Sequence, residues 1–318
     1  MNLDPSVPPA PAVTCVGIAV YDILAGPLTG EVVAGSLSLV EHFDVAIGGC
    51  AVNCADALTV AGVPTRLVAA VGDDVFGSYI QHTVAERGID ARWVTSAELP
   101  TSTSAILVDS VGERTIIHCV GASAALTVDA VDPHVAGDVL YVGGALVLPG
   151  LDGAPLADLL GRARARGMAT VLDVVHDPSG RWDRVVPALE HVDVFTPNAI
   201  EAAAITGASD PATAAAELRR MGVQVAVVTL AAEGAWIDCD DYVGPVAPHP
   251  VDAVDETGSG DAFDAGMILG LVHRLAPPAA ARVAAVMGAL ASTATGACAA
   301  HLSFDEIWDR AGLDVQPR

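Results

Sequence analysis

Apolar residues along the chain fall into short continuous runs that alternate with longer segments of helical spacing. Thr14 to Val20, Thr65 to Val71, Val139 to Val142, Ala169 to Val175, Val192 to Phe195 and Val225 to Leu230 read as strands. Between them, Gly49 to Ala61, Leu151 to Arg166, Ala199 to Thr206 and Pro211 to Met221 read as helices. Strands that are apolar throughout, rather than alternating, are what a parallel sheet covered on both faces requires. Strand–helix alternation with short connections then predicts a doubly wound α/β domain, mainly parallel, with helices on both faces. Two segments depart from this rhythm. Glu31 to Ala46 and Thr103 to Val120 alternate with period two, the second around a turn at Ser110-Val111-Gly112-Glu113. They are predicted to project as a small β-sheet, either a lid or an ordinary edge hairpin. The expected organisation is a flexible tail over residues 1–13 and one domain over 14–318, with lid strands inserted at about 31–46 and 103–120.

Composition narrows the function. The chain has 318 residues, 52% of them hydrophobic and 17% charged, so a large core is expected and disorder is excluded. A net charge of −24 argues against nucleic acid and anionic membrane as partners. There is no lysine, so all 15 basic residues are arginine. That removes Walker A loops, protein-kinase folds and Schiff-base chemistry, each of which needs an amine. The six cysteines (Cys15, Cys50, Cys54, Cys119, Cys239 and Cys298) contain no C-x-x-C and read as buried free thiols of a reducing compartment. Met1 to Val13 lacks the features of a signal peptide, and the alanine-rich run Val283 to Ala300 reads as a buried core helix. The chain is expected to be cytoplasmic.

Three constellations could carry chemistry. Asp255-Glu256-Thr257-Gly258-Ser259-Gly260-Asp261 opens an apolar helix running through Leu271. Glycines around a serine at a helix start expose backbone N–H groups that attract an anion. Asp261 beside them suits a base that deprotonates a hydroxyl next to a phosphoryl group; alternatively it merely favours the helix N-terminus. The run G-x-G-x-x-F lacks the third glycine of a dinucleotide loop. Asn198 and Glu201, three apart after the strand ending at Phe195, form the pattern of a helix cap and also suit a hydrated Mg²⁺. Asp22, Gly48, Gly49 and Asn53 lie at expected strand ends, where they can hold vicinal hydroxyls or simply form turns.

Taken together these motifs resemble the ribokinase-like (PfkB) carbohydrate kinases. The likeness runs from Gly17 and Asp22 through Gly48-Gly49 and Asn53 to Pro197-Asn198-x-x-Glu201 and Asp255-x-Thr257-Gly258-x-Gly260-Asp261. The resemblance implies ATP-dependent phosphorylation of a hydroxyl on a small sugar or polyol. It implies Asp261 as base, with Gly258, Ser259 and Gly260 as an anion hole. Asp22, Gly48, Gly49, Asn53, Arg114 and His118 would face the acceptor. Thr229, Gly234, Asp255 and Thr257 would lie on the nucleotide side, with Asn198 and Glu201 organising Mg²⁺. A monovalent cation such as K⁺ is expected near Asp255, and a homodimer through the lid strands.

Three positions depart from the family pattern. Asp173-Val174-Val175-His176-Asp177 stands where relatives often carry D-x-N-x-R, Ala231 replaces a glycine and Ser123 an asparagine. Catalysis is expected to survive these changes, and they leave the acceptor open. The alternatives are a nucleoside kinase, for which an aromatic content of 4% offers little stacking surface, and a non-catalytic sugar or nucleotide sensor.

Overall fold

A computed structural model describes residues 12–28, 30, 32–110, 114–294, 296 and 303–313. The chain begins with β1 (Val13–Gly17), β2 (Val20–Leu28), β3 (Val40–Gly48), α1 (Cys50–Val60), β4 (Thr65–Gly72), α2 (Val75–Glu86) and β5 (Asp90–Ser96). Next come β6 (Thr103–Asp109), β7 (Arg114–Cys119), α3 (Val128–Val131), β8 (Val139–Ala145), α4 (Ala154–Ala165), β9 (Ala169–Val174) and β10 (Val194–Phe195). The remainder is α5 (Ala199–Thr206), α6 (Pro211–Arg220), β11 (Val225–Thr229), β12 (Ala235–Cys239), β13 (Tyr242–Val246), α7 (Ser259–Val272), α8 (Pro277–Ala291) and α9 (Phe304–Arg310).

Among the described residues, nine strands form one sheet in the order β13-β12-β11-β10-β9-β8-β1-β4-β5. Its strands pair in parallel from β5 to β11, and β12 and β13 close one edge antiparallel. Apolar side chains leave the sheet on both faces. In β8, Val139 and Tyr141 enter one buried cluster, whereas Leu140 and Val142 enter the other. That two-sided burial is why these strands read as continuous apolar runs. The alanine-rich segment is α8, which packs tightly on α7. A Cβ at Gly266 would come within 2.4 Å of the Ala284 backbone, so only small residues allow this approach. No helix among the described residues is long and apolar enough to cross a membrane.

A second sheet of four strands, β3-β2-β6-β7, confirms the expected separate small sheet, with different strands from those predicted. Residues 32–39 are turn and irregular, and pairing starts at Val40 against Leu28. The partner strand is β2, so Asp22 lies inside the lid sheet rather than just past the first strand. Glu31 and the turn residues 111–113 lie outside the described residues, as do 1–11 of the expected tail. β1 begins at Val13, one residue before the expected start.

The thiols also differ from expectation at one place. Cys15, Cys50, Cys54 and Cys239 are buried and free, but Cys119, on β7, is exposed. Cys298 lies outside the described residues.

Candidate active site

In a parallel sheet the carboxyl ends of the strands lie along one edge, where open α/β sheets receive ligands. Toward that edge α7 starts abruptly, because Gly258 adopts the left-handed φ of 76° that turns the chain into the helix. Within this turn the Ser259 N–H donates to the Glu256 carbonyl at 3.1 Å, so one of the three amides expected in the anion hole is already engaged. Gly260 and Asp261, in the first turn, have no helical carbonyl four residues back to receive their N–H groups. A Cβ at Gly260 would meet nothing within 4 Å, so the space beside it is open. The Ser259 Oγ is buried without a hydrogen-bond partner. Open space, first-turn amides and an orphaned hydroxyl fit the oxygens of a phosphate chain.

Asp261 is held from α1. Asn53 Nδ2 donates to its Oδ2 at 2.7 Å, and the Cys50 thiol also bonds to it. Burial raises the Asp261 carboxyl above its ordinary range, and these two donors pull it partly back. Behind it lies an acidic cluster. Asp264 receives a 2.9 Å bond from the Tyr141 hydroxyl, and Asp173 stands at the end of β9. Burial pushes both carboxyls well up, and each is raised further by its acidic neighbours. One ligand atom each from Cys50, Asp173 and Asp261 lie within 4.8 Å of one another.

The lid supplies the opposite wall. Strand register sets Asp22 beside Ser104, and Ser104 beside His118. The Ser104 hydroxyl lies 3.1 Å from His118 Nδ1 and bonds Asp22 as well. Burial raises Asp22 to about 6, against the pull of Ser104 and the Arg114 guanidinium. Partial burial lowers the His118 imidazole below its ordinary range. Gly48, at the end of β3, makes room for this carboxylate: a Cβ there would sit 2.3 Å from Asp22 Oδ2. Gly49 follows as the N-cap of α1. Asn53, expected to face the acceptor, donates one amide hydrogen to Asp261.

Asn198 and Glu201 form a complete capping box on α5. The Asn198 side chain accepts from the Ile200 and Glu201 amides, and Glu201 Oε2 accepts from the Asn198 amide at 2.9 Å. The cap explains the local sequence, yet it leaves a buried carboxyl that burial raises to about 7. A buried acid lacking a counter-charge among the described residues, beside a cluster of further acids, fits a hydrated divalent cation.

Thr229 pairs with Asn198 across neighbouring strand ends, its amide donating to the Pro197 carbonyl at 3.0 Å. Ala231, where the resemblance led one to expect glycine, is held at φ 50°, a left-handed conformation that costs a non-glycine residue about 1 kcal/mol. A Cβ at Gly234 would lie 2.2 Å from the Val246 carbonyl oxygen, so this glycine serves a close backbone crossing. Next to Val246 a cavity of about 540 Å³ is lined by Tyr242, His249, Ala279, Arg282 and Val286, among others. Asp255 and Thr257 complete the turn before α7: the Thr257 amide donates to Asp255 Oδ1 at 2.9 Å. Arg114 Nη2 lies 2.6 Å from that same oxygen. Asp177, at the last place of the altered D-x-N-x-R pattern, pairs with Arg184 at 3.0 Å.

Sequence reasoning missed Cys50, Ser104, Tyr141 and Asp264 as members of this site. Ser104 was within reach, since a hairpin about residues 110–113 fixes its pairing with His118 to within a residue. The others needed the packing of α1 and β8 against α7.

The chain is similar to known carbohydrate kinases. A model of the pfkB family carbohydrate kinases matches residues 11–303. A fructokinase of Klebsiella pneumoniae is 33% identical over 271 residues, covering 80% of this chain and 88% of its own. The ribokinase structure from Thermotoga maritima has a TM-score of 0.80 at 21% identity, covering 95% of this chain and 99% of that one. A fructokinase from Xylella fastidiosa, solved with bound ATP, also scores 0.80 at 23% identity, covering 94% and 98%. The likeness to both structures gives the ribokinase fold. The chain belongs to the pfkB family of carbohydrate kinases, and it is a sugar kinase.

Proposed function

We propose that this kinase transfers the γ-phosphoryl group of ATP to a hydroxyl of a small sugar or polyol, with Asp261 as the base. The observation that carries the reading is Asp261 itself, clamped by Asn53 and Cys50 beside the open N-terminus of α7. The acceptor oxygen loses its proton to Asp261 and forms a bond to the γ-phosphorus. The bond from that phosphorus to the bridging oxygen breaks, and ADP leaves. The raised Asp261 carboxyl is a stronger base than an exposed aspartate, which helps it take a hydroxyl proton as the oxygen attacks. The amides of Gly260 and Asp261, with the Ser259 hydroxyl, are the donors that would receive the phosphoryl oxygens. Most of the acceleration comes from positioning and charge stabilisation rather than covalent chemistry.

Asn198 and Glu201 would hold Mg²⁺, whose charge offsets that of the phosphates. The nucleoside would lie toward the 540 Å³ cavity. From Gly288, which abuts Ser259, to Arg282 at the cavity, α8 advances about 9 Å. Asp22, Ser104 and His118 offer a row of hydrogen-bonding groups for sugar hydroxyls.

The outer face of the lid supports a homodimer. Val45, Ile23, Ala105 and Ile117 share one row by register, and Phe43, Val45 and Ile117 are exposed. Light scattering after gel filtration would contradict this by returning a monomer. The acceptor is named by coupled ADP release over a panel of sugars and nucleosides, beginning with fructose and ribose. Turnover of a sugar supports the reading. Turnover of nucleosides alone, or rates equal to those of Asp261→Asn on every acceptor, would overturn it.

A further inference from the structure

Asp255 presents a problem that the fold has to solve. Its side chain is 4% exposed, yet it stands at the start of a loop that must receive a polyanion. Uncompensated, its charge would repel that ligand through a poorly screened interior. Three N–H donors reach it. The Thr257 amide donates to Oδ1 at 2.9 Å, the Gly296 amide donates to Oδ2 at 2.9 Å, and Arg114 Nη2 lies 2.6 Å from Oδ1. Although burial works against it, these donors hold the carboxyl down at about 2, so it stays ionised.

Only Arg114 among the three brings a whole positive charge, and it comes from β7 of the lid, 141 positions earlier in the chain. The same guanidinium acts on Asp22, across the acceptor wall. It therefore stands between the carboxylate of the acceptor side and that of the anion loop. The family resemblance leads one to expect a monovalent cation near Asp255. The described residues do not fit one, because a guanidinium already balances the acid and its oxygens face N–H donors.

We infer that Arg114 is a positioning residue which, in place of an inorganic monovalent cation, neutralises Asp255 and orders the anion loop. The charge arrives with the lid, so covering the acceptor and readying the loop for phosphate are one event. An arginine suits this task because it stays protonated and its planar fork holds a carboxylate in a fixed orientation. Closing of the lid and binding of the triphosphate then favour each other reciprocally. This inference rests on the phosphoryl-transfer reading of the loop.

The test uses the full-length protein at constant ionic strength, in KCl or in choline chloride, and needs no acceptor. Two quantities are read: the melting temperature without ligand, and the affinity for a fluorescent ATP analogue with Mg²⁺. For the wild type, both are expected to be the same in the two salts. Arg114→Met is expected to bind the analogue about tenfold more weakly in choline chloride, the loss of one charge-assisted hydrogen bond. KCl is expected to return part of that affinity, and Arg114→Lys to keep more of it than Arg114→Met. A wild-type protein that melts higher or binds several-fold tighter in KCl alone would overturn the inference, as would Arg114→Met binding like the wild type. If the wild type binds no nucleotide in either salt, the kinase reading fails, while the melting curves still decide whether K⁺ has a site.

Discussion

The two sheets of this kinase solve opposite problems with the same chain. The nine-stranded sheet is buried on both faces, so each strand is anchored by two apolar clusters. The lid sheet keeps its outer face bare: Phe43 and Ile117 are 69% and 62% exposed. Its inward side instead carries the hydrogen-bonded row Asp22, Ser104 and His118, with Arg114 further along β7. The large sheet and α7 hold Asp261 and the acid cluster; the lid presents polar groups and the Arg114 guanidinium. A site that must admit two substrates and then exclude water needs both kinds of support.

This division can be broken in a definite order. The largest effect belongs to the rigid side. Asp261→Asn should lower kcat about a thousandfold, roughly 4 kcal/mol in barrier, in steady-state assays with the acceptor found by the panel. Burial raises the Asp261 carboxyl, so its ionised form opposes folding at neutral pH, and the variant should melt no lower than the wild type. A large loss of melting temperature would mean that the aspartate is structural instead.

Next comes the energetic contrast between the sheets. Leu140→Ala, fully buried in β8, should cost about 3 kcal/mol in urea unfolding. Ile116→Ser, on the lid, should stay within about 0.5 kcal/mol. Equal costs would erase the distinction between anchor and cover.

The smallest effect is electrostatic. Glu201 is raised to about 7 by burial, so below that pH a proton competes with a cation for its carboxylate. Apparent Mg²⁺ affinity should therefore be about tenfold weaker at pH 6 than at pH 8, with Glu201→Gln flattening the dependence. A wild-type affinity independent of pH would remove Glu201 from the metal site.

What could be read from the sequence follows the same division. Strands such as β4, β8 and β9 announce themselves because two-sided burial forces continuous apolar runs. Helix α5 matches its predicted limits, since its start is capped by Asn198 and its end by Gly207 in the left-handed conformation. The half-exposed elements are hard to read. In α2 only Gly77, Ile80 and Val84 are buried, too thin a stripe to mark a helix, and β2 carries Asp22 in what would otherwise be an apolar run. The active site divides likewise. The turn from Asp255 to Asp261 and the pair Asn198 and Glu201 are local, so their spacing exposes them. Cys50 against Asp261, Tyr141 against Asp264 and Arg114 against Asp255 are joined only by the tertiary fold, and no local pattern marks them.

The most direct measurement is a structure of the protein with Mg²⁺, a non-hydrolysable ATP analogue and the acceptor sugar. The account predicts the terminal phosphorus at the N-terminus of α7, with an acceptor hydroxyl about 2.6–3.2 Å from an Asp261 oxygen. A triphosphate seated elsewhere, with no acceptor oxygen in reach of Asp261, would contradict it.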